Sequence, residues 1–370
     1  MKCLVVGNAD SIYIKSLIEK TMLAYNDRVS VLSKNNKIYS DYYDQNGVSV
    51  IKEKYSDGKL GTLLCGIKNL KAFKGKYDTI SFHFITNRSL IMIPAAKLLG
   101  KRVFVSYWGS DILREKKGSF LAKAVLKLVD GITVINSEML KKFHLLYGRK
   151  FDKKIHMIDF GSDTIDCMKK MTASEDQIRN KYNIENNKVI ISVGYNSSEE
   201  QQHLKVLEKI ALLPDDKKKN IHLILRITYG SGSEEYKNKI KELTKKTGCT
   251  YSFFESYLSE DEISEITKIT DIFIHAQTTD AQSATMCEHL YCKCLVLNPK
   301  WIRYKELENK VFYLSFKDFD EMFEMLKYNI SKKEVNGLYD RMNSNSEVIF
   351  EICSWETYIP KWRKLYLLDY

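Results

Sequence analysis

The stretch DIFIHAQTTDAQSATMCEHLYCKCLVL, residues 271–297, reads as strand, polar turn, capped helix and second strand. Asp271-Ile272-Phe273-Ile274 is a short apolar run, and the turn after it carries Asp280. Ser283 is an N-cap residue type, so a helix starting there has one of its open N–H groups satisfied by the serine hydroxyl. Gln282, Ser283 and Ala284 lie where that helix opens, and its free backbone N–H groups and positive dipole end suit a diphosphate. Glu288, eight residues beyond Asp280, completes a D-x7-E pair and is placed one to two turns inside, where it can accept hydrogen bonds from ribose hydroxyls. The competing reading is a solvated turn residue and an ordinary helix charge. Cys294-Leu295-Val296-Leu297 fits the next buried strand, which makes the segment one β-turn-α-β unit of an α/β domain.

Outward from this unit the same alternation recurs. Strand-like runs at 188–193, 221–227, 250–254, 271–274, 294–297 and 310–314 are separated by helical segments in the second half. The first half shows runs at 2–7, 29–33, 48–51, 78–85, 102–107 and 131–136. Such alternation predicts two parallel, doubly wound, Rossmann-like domains with a cleft between them, and ligands bind beyond the carboxyl ends of such strands. The polar stretch after Gly161, through Asn187, with a helical Ile178-to-Tyr182 inside it, marks the connection. The expected domains are residues 1–165, residues 166–345, and an aromatic C-terminal helix, 346–370.

The 271–297 unit also resembles the C-terminal signature of GT-B glycosyltransferases of the family-4-like kind, with Asp280 in place of the first Glu of an E-x7-E pair. Val193-Gly194-Tyr195-Asn196, His203-Leu204 and Leu225-Arg226-Ile227-Thr228-Tyr229-Gly230 resemble bacterial enzymes of the dTDP-N-acetylfucosamine:lipid II N-acetylfucosaminyltransferase kind. The resemblance implies a GT-B fold, a nucleotide-sugar donor, a glycan or lipid-linked acceptor and retention of anomeric configuration. It implies a last helix that returns to the first domain, and it makes Gly161-Ser162-Asp163 the turn that closes that domain. It also implies an Arg and a Lys after the first strand of the second domain, where this chain has Tyr195 and Asn196 and reaches Lys205 only in the following helix.

The strand-end loops supply the remaining candidates. Gly194 is positioned to let the backbone approach a phosphate, beside Tyr195 and Asn196. Arg226, inside an apolar run, becomes the phosphate cation in place of the missing pair, with an internal salt bridge as the alternative. Thr228 and Tyr229 follow on the donor side, and Tyr257 is either a platform for the base or a surface tyrosine. In the first domain, Tyr107-Trp108-Gly109-Ser110-Asp111 resembles an acceptor-side turn. Asp111 is a general base for the acceptor or a plain N-cap, and Trp108 a sugar platform or a core residue. Gly7 and Asn8, after the first strand, line the same side; His83 joins them or is a satisfied core histidine. Gly7 opens no GxGxxG fingerprint, so no dinucleotide cofactor is expected; no DxD motif or spaced His pair calls for a metal.

Charge is unevenly placed. Residues 1–165 carry 28 Lys and Arg against 15 Asp and Glu, a net of +13, whereas the rest nets −2. Lys116, Lys117, Lys123 and Lys127 fall on a predicted amphipathic helix over 112–129, with Phe120, Leu121, Ala124, Val125 and Leu128 as its inward stripe. That face predicts either docking on an anionic membrane or simple solvation, and nucleic acid is not expected because no recognisable module accompanies it. With no membrane-spanning run and eight cysteines showing no metal or disulfide spacing, the chain reads as cytoplasmic, peripheral to the inner membrane face. Two rivals stand beside the transferase: a nucleotide-sugar epimerase on the same fold, and a non-catalytic membrane-associated scaffold.

Overall fold

Alternate residues of the first strand serve two different cores, which is the signature of a sheet buried on both faces. Leu4 and Val6 pack with Ile80, Phe82, Val103 and Val105, while Cys3 and Val5 pack with Val29, Val31 and Phe104. The computed structural model describes residues 1–369 other than 56, 57, 76, 100, 281, 282 and 330. Its contacts divide the chain into two units, Met1–Gly161 with Trp355–Tyr370, and Ser162–Ser354.

The first unit holds β1 (Lys2–Val6), β2 (Arg28–Ser33), β3 (Ser49–Lys52), β4 (Thr79–His83), β5 (Arg102–Ser106), β6 (Gly131–Val134) and β7 (Ile155–Met157). They form one parallel sheet in the order β3-β2-β1-β4-β5-β6-β7. The helix Trp355–Leu367 belongs to this unit: Trp355, Trp362 and Tyr366 are buried in the Cys3–Val5 core, and Trp362 Nε1 donates to the Asp159 carbonyl at 3.0 Å.

The second unit holds β8 (Val189–Val193), β9 (Ile221–Arg226), β10 (Thr250–Phe254), β11 (Ile272–Ile274), β12 (Leu295–Pro299) and β13 (Leu314–Phe316), ordered β10-β9-β8-β11-β12-β13 and again parallel. Both sheets reverse strand order beside their first strand, between β1 and β4 and between β8 and β11. In open α/β sheets that switch point is where ligands settle.

Three readings of the sequence need correction. The helix predicted over 112–129 is two short ones, Ser110–Leu113 and Phe120–Val125, separated by the Lys116-Lys117-Gly118-Ser119 turn. Of its expected inward stripe only Val125 is buried: Phe120 is 88% and Leu121 51% exposed, Ala124 and Leu128 are exposed too, and the other buried positions are Ile112, Ala122, Leu126 and Val129. The stretch after Gly161, where the first unit ends and a helical Ile178-to-Tyr182 is expected, holds the helices Asp163–Lys170 and Glu175–Lys181, which bury Ile165 and Ile178 in the second unit. The last strand, expected at 310–314, lies at Leu314–Phe316; β7 is a strand the pattern missed because it has only three residues, none fully buried.

Candidate functional site

Two arginines are buried in the second unit, and they differ in one respect. Arg179 pairs with Asp271 at 3.2 Å and donates to the carbonyls of Glu185, Lys188 and Ile269, so its burial is compensated throughout. Arg226, the last residue of β9, is 4% exposed, yet its Nε and Nη2 have no hydrogen-bond partner among the described residues. Desolvation lowers its pKa; Glu288, Tyr229 and Tyr195, all within electrostatic reach, act the other way. A buried cation with open donors is costly unless an anion completes it.

Glu288 is the carboxylate that acts on Arg226, and it is itself committed. It is buried on the helix Ala284–Tyr291, and its Oε1 accepts from Ser162 Oγ at 2.9 Å. Burial raises its pKa, while Arg226 and the hydroxyls of Ser162 and Thr164 pull it down. Ser283 caps this helix, its Oγ accepting from Met286 N at 3.1 Å. Ala284 is exposed at the first turn, and Gln282 lies outside the described residues.

Asp280 sits in a cage that sequence reasoning missed. Tyr304 Oη donates to its Oδ2 at 3.1 Å, and His275 Nε2 lies 3.5 Å from the same oxygen. Asn298 Nδ2 donates to the carbonyls of Pro299 and Ile302, so its Oδ1 accepts from His275 Nδ1 at 2.9 Å, and the ring turns Nε2 towards Asp280 without a hydrogen bond between them. Tyr195 stacks on His275 with rings 6.3 Å apart and 8° from parallel, and its hydroxyl accepts from Gln277 Nε2 at 3.1 Å. The available signal was His275 itself, a polar residue directly ending the apolar run of β11.

The other donor-side residues are placed as follows. Gly194 has φ +64°, and a Cβ there would lie 2.7 Å from His203 Nε2, so a larger residue has no room on that side. Asn196 is buried and accepts from Ser198 N at 2.9 Å. The Tyr229 carbonyl accepts from Ser197 N and Oγ, which ties the loops after β8 and β9 together. Thr228 is half-buried, whereas Tyr257 is 66% exposed.

In the first unit, the strand-end residues meet around Trp108. Its ring lies 6.0 Å from His83 and 5.0 Å from Phe160, and the position of a Cβ on Gly7 would be 3.4 Å from the His83 Cβ. His83 is buried; its Nε2 meets Ser81 Oγ at 2.9 Å, its Nδ1 has no partner among the described residues, and desolvation pushes its pKa down to about 3. Asn8 stands apart, exposed, bonded to Asp10 N.

Asp111 does not cap a helix. Its Oδ1 accepts from Trp108 N and Gly109 N, and its Oδ2 from Ile85 N, each at 2.9 Å. The carboxylate thereby fastens the loop after β5 to the loop after β4. It holds Gly109 at φ +136°, outside the range of other residues, and burial raises its pKa despite the three donors.

Residues 2–138 match the family described as Glycosyl transferase 4-like, and residues 174–298 match Glycosyl transferases group 1. The chain therefore combines a family-4-like and a group 1 glycosyltransferase domain on a GT-B fold. Among solved structures it is similar to a glycosyltransferase of Rickettsia africae, at 15% identity and TM-score 0.78, over 100% of this chain and 99% of that one. It is similar to Alr3699/HepE of Anabaena in complex with UDP and glucose, at 17% identity and TM-score 0.70 over 98% of each chain. UDP-GlcNAc 2-epimerase of Neisseria meningitidis bound to UDP-GlcNAc shares the fold at 11% identity and TM-score 0.65, over 100% of both chains. At these identities the likeness is one of fold. No curated protein matches the chain.

Proposed function

We propose that the chain is a glycosyltransferase that moves a sugar from a nucleoside-diphosphate donor to a glycan or lipid-linked acceptor in bacterial cell-surface polysaccharide synthesis. The observation that carries this reading is Arg226: a buried guanidinium at the carboxyl end of β9 with two open N–H donors, in a unit that compensates Arg179 completely. A diphosphate supplies the missing acceptors, and the open end of the helix behind Ser283 adds its dipole. UDP in the Anabaena relative supports a diphosphate donor.

In the proposed reaction the acceptor hydroxyl oxygen bonds to the anomeric carbon, the bond from that carbon to the diphosphate breaks, and the hydroxyl proton leaves with the departing phosphate. Arg226 stabilises the charge gathering on the leaving group without a metal. Asp280, held by the Tyr304 hydroxyl, faces the sugar, and Glu288 accepts hydrogen bonds from the ribose of the donor. Gly7, His83, Trp108 and Gly109 form the acceptor side, with Asp111 positioning their loops. Retention follows from the D-x7-E resemblance, and the patches around Val193, His203 and Arg226 favour an N-acetylfucosaminyltransferase type.

Membrane docking is part of this proposal. Among the described residues no helix is long and apolar enough to cross a membrane. Phe120 and Leu121 nevertheless project beside Lys116, Lys117, Lys123 and Lys127, a pairing that suits an anionic leaflet at the inner face. The test is to incubate the protein with UDP- and dTDP-sugars, with and without a bacterial membrane-lipid extract, and analyse the products. Sugar transfer that requires the extract supports the proposal. Epimerised nucleotide sugar formed without acceptor assigns the chain to the epimerase reading, and no turnover with any donor favours the scaffold.

A further inference from the structure

Four residues outside the sites above meet at the carboxyl edge of the first sheet. Lys34 directly follows β2, Glu53 directly follows β3 with Tyr55 two residues on, and Arg88 follows β4 by five residues. The Lys34 ammonium lies 3.6 Å from the centre of the Tyr55 ring, and the Arg88 guanidinium carbon lies 4.3 Å from it. Arg88 Nη1 is 3.2 Å from Glu53 Oε1, but in an arrangement that makes no hydrogen bond.

The backbone just before Tyr55 is tied down. Glu53 N donates to the Ser33 carbonyl at 2.7 Å, Lys54 N donates to Asn69 Oδ1 at 2.7 Å, and Asn69 Nδ2 returns a bond to the Lys54 carbonyl at 3.1 Å. Among the described residues, two cations thus share one aromatic ring and one carboxylate, which leaves a net positive charge beside Tyr55. Holding two like charges on one ring is unfavourable in the free protein, and Glu53 offsets only one of them. Strand ends on both sides of β1 are also where this topology presents ligands.

We propose that Lys34, Tyr55 and Arg88 form a binding site for an oxyanion, a phosphate or carboxylate group carried by the acceptor. This rests on the reading of the first unit as the acceptor side. Lys34 and Arg88, converging over the one ring, turn their N–H donors to the oxygens of the anion, and Glu53 keeps Arg88 in place when the site is empty.

The test titrates inorganic pyrophosphate and, separately, glucuronate into the full-length protein saturated with UDP, by calorimetry. Lys34→Gln and Arg88→Gln are measured alongside. Lys34 is exposed and lacks an ion pair within 4 Å among the described residues, so its variant folds normally whatever becomes of Arg88. Binding of pyrophosphate identifies a phosphate-bearing acceptor and binding of glucuronate a carboxylated one. Either is expected to weaken about tenfold or more in each variant and to weaken with salt. UDP affinity should stay unchanged in Lys34→Gln. The proposal is overturned if neither anion binds, or if binding survives both substitutions and disappears in Arg226→Gln. UDP binding in the same series keeps the donor reading separate: if UDP binds and neither anion does, only this site fails.

Discussion

Replacing Arg226 by methionine separates a ligand-binding arginine from a structural one, because the two roles predict opposite signs. The side chain offers Nε and Nη2 to a ligand, and each charge-assisted bond to a phosphate oxygen contributes about 1.5–3 kcal/mol. Losing both removes about 3–6 kcal/mol, which weakens nucleoside-diphosphate binding by about 10²- to 10⁴-fold. Without ligand, the guanidinium is buried with open donors, so an apolar side chain of similar length leaves stability unchanged or raises it by about 1–4 kcal/mol. An internal salt bridge with Glu288 predicts instead a loss of about 3–5 kcal/mol, since the carboxylate would be left buried alone. Calorimetric titration with UDP and dTDP, paired with urea unfolding, reads both numbers. Lys205→Ala is the control: Lys205 Nζ donates to Gln202 Oε1 at 2.9 Å and lies over the Phe319 ring, so its loss should barely alter nucleotide affinity. Unchanged diphosphate affinity in Arg226→Met, or a stability loss on the salt-bridge scale, would refute the reasoning.

Other expectations follow from the same geometry. Asp111→Asn must set an amide NH2 against one of three backbone N–H groups, so it should lower stability by about 1–3 kcal/mol in urea unfolding; a helix cap would leave it nearly unchanged. Burial raises the folded-state pKa of Glu288 above 4.5, so its contribution to stability is present below that pH and lost as pH rises through the raised value; Glu288→Gln should remove this slope from a pH series of unfolding curves. His203 runs the other way: with its pKa held down to about 4 against an ordinary 6.5, it favours the folded state above pH 6.5, and that advantage shrinks as pH falls towards 4, by up to about 1.4 kcal/mol per pH unit. His203→Gln should flatten that acid limb. Vesicle sedimentation should rise with anionic lipid, and Phe120→Ser should weaken it even at low salt, whereas an ordinary solvated surface would show neither effect.

The central strands were legible because they are buried on both faces and read as apolar runs, as in Val189–Val193 and Ile221–Leu225, with polar breaks between them. Ser283 was legible as a cap because capping is a local interaction. The helix predicted over 112–129 failed because periodicity counts Phe120 and Leu121 as core without registering that the Lys116–Ser119 turn swings them outward. The cage around Asp280 was invisible for another reason. Tyr304 and Asn298 are 24 and 18 residues from it, and only the sheet register that sets β11 beside β12 brings them there. The packing of Gly194 was not legible either, since no local pattern shows that His203 fills the space where its Cβ would be.

The central claim is that the second unit binds the diphosphate of a nucleotide sugar through Arg226. The most direct measurement compares, for the wild-type protein, the affinities of one nucleoside, its monophosphate and its diphosphate by calorimetry, across uridine, thymidine, guanosine and adenosine. For at least one base, the diphosphate should bind about tenfold or more tightly than the monophosphate, because the open Arg226 donors need the second phosphate. Equal affinities for mono- and diphosphate with every base, or no binding of any diphosphate, would contradict the account.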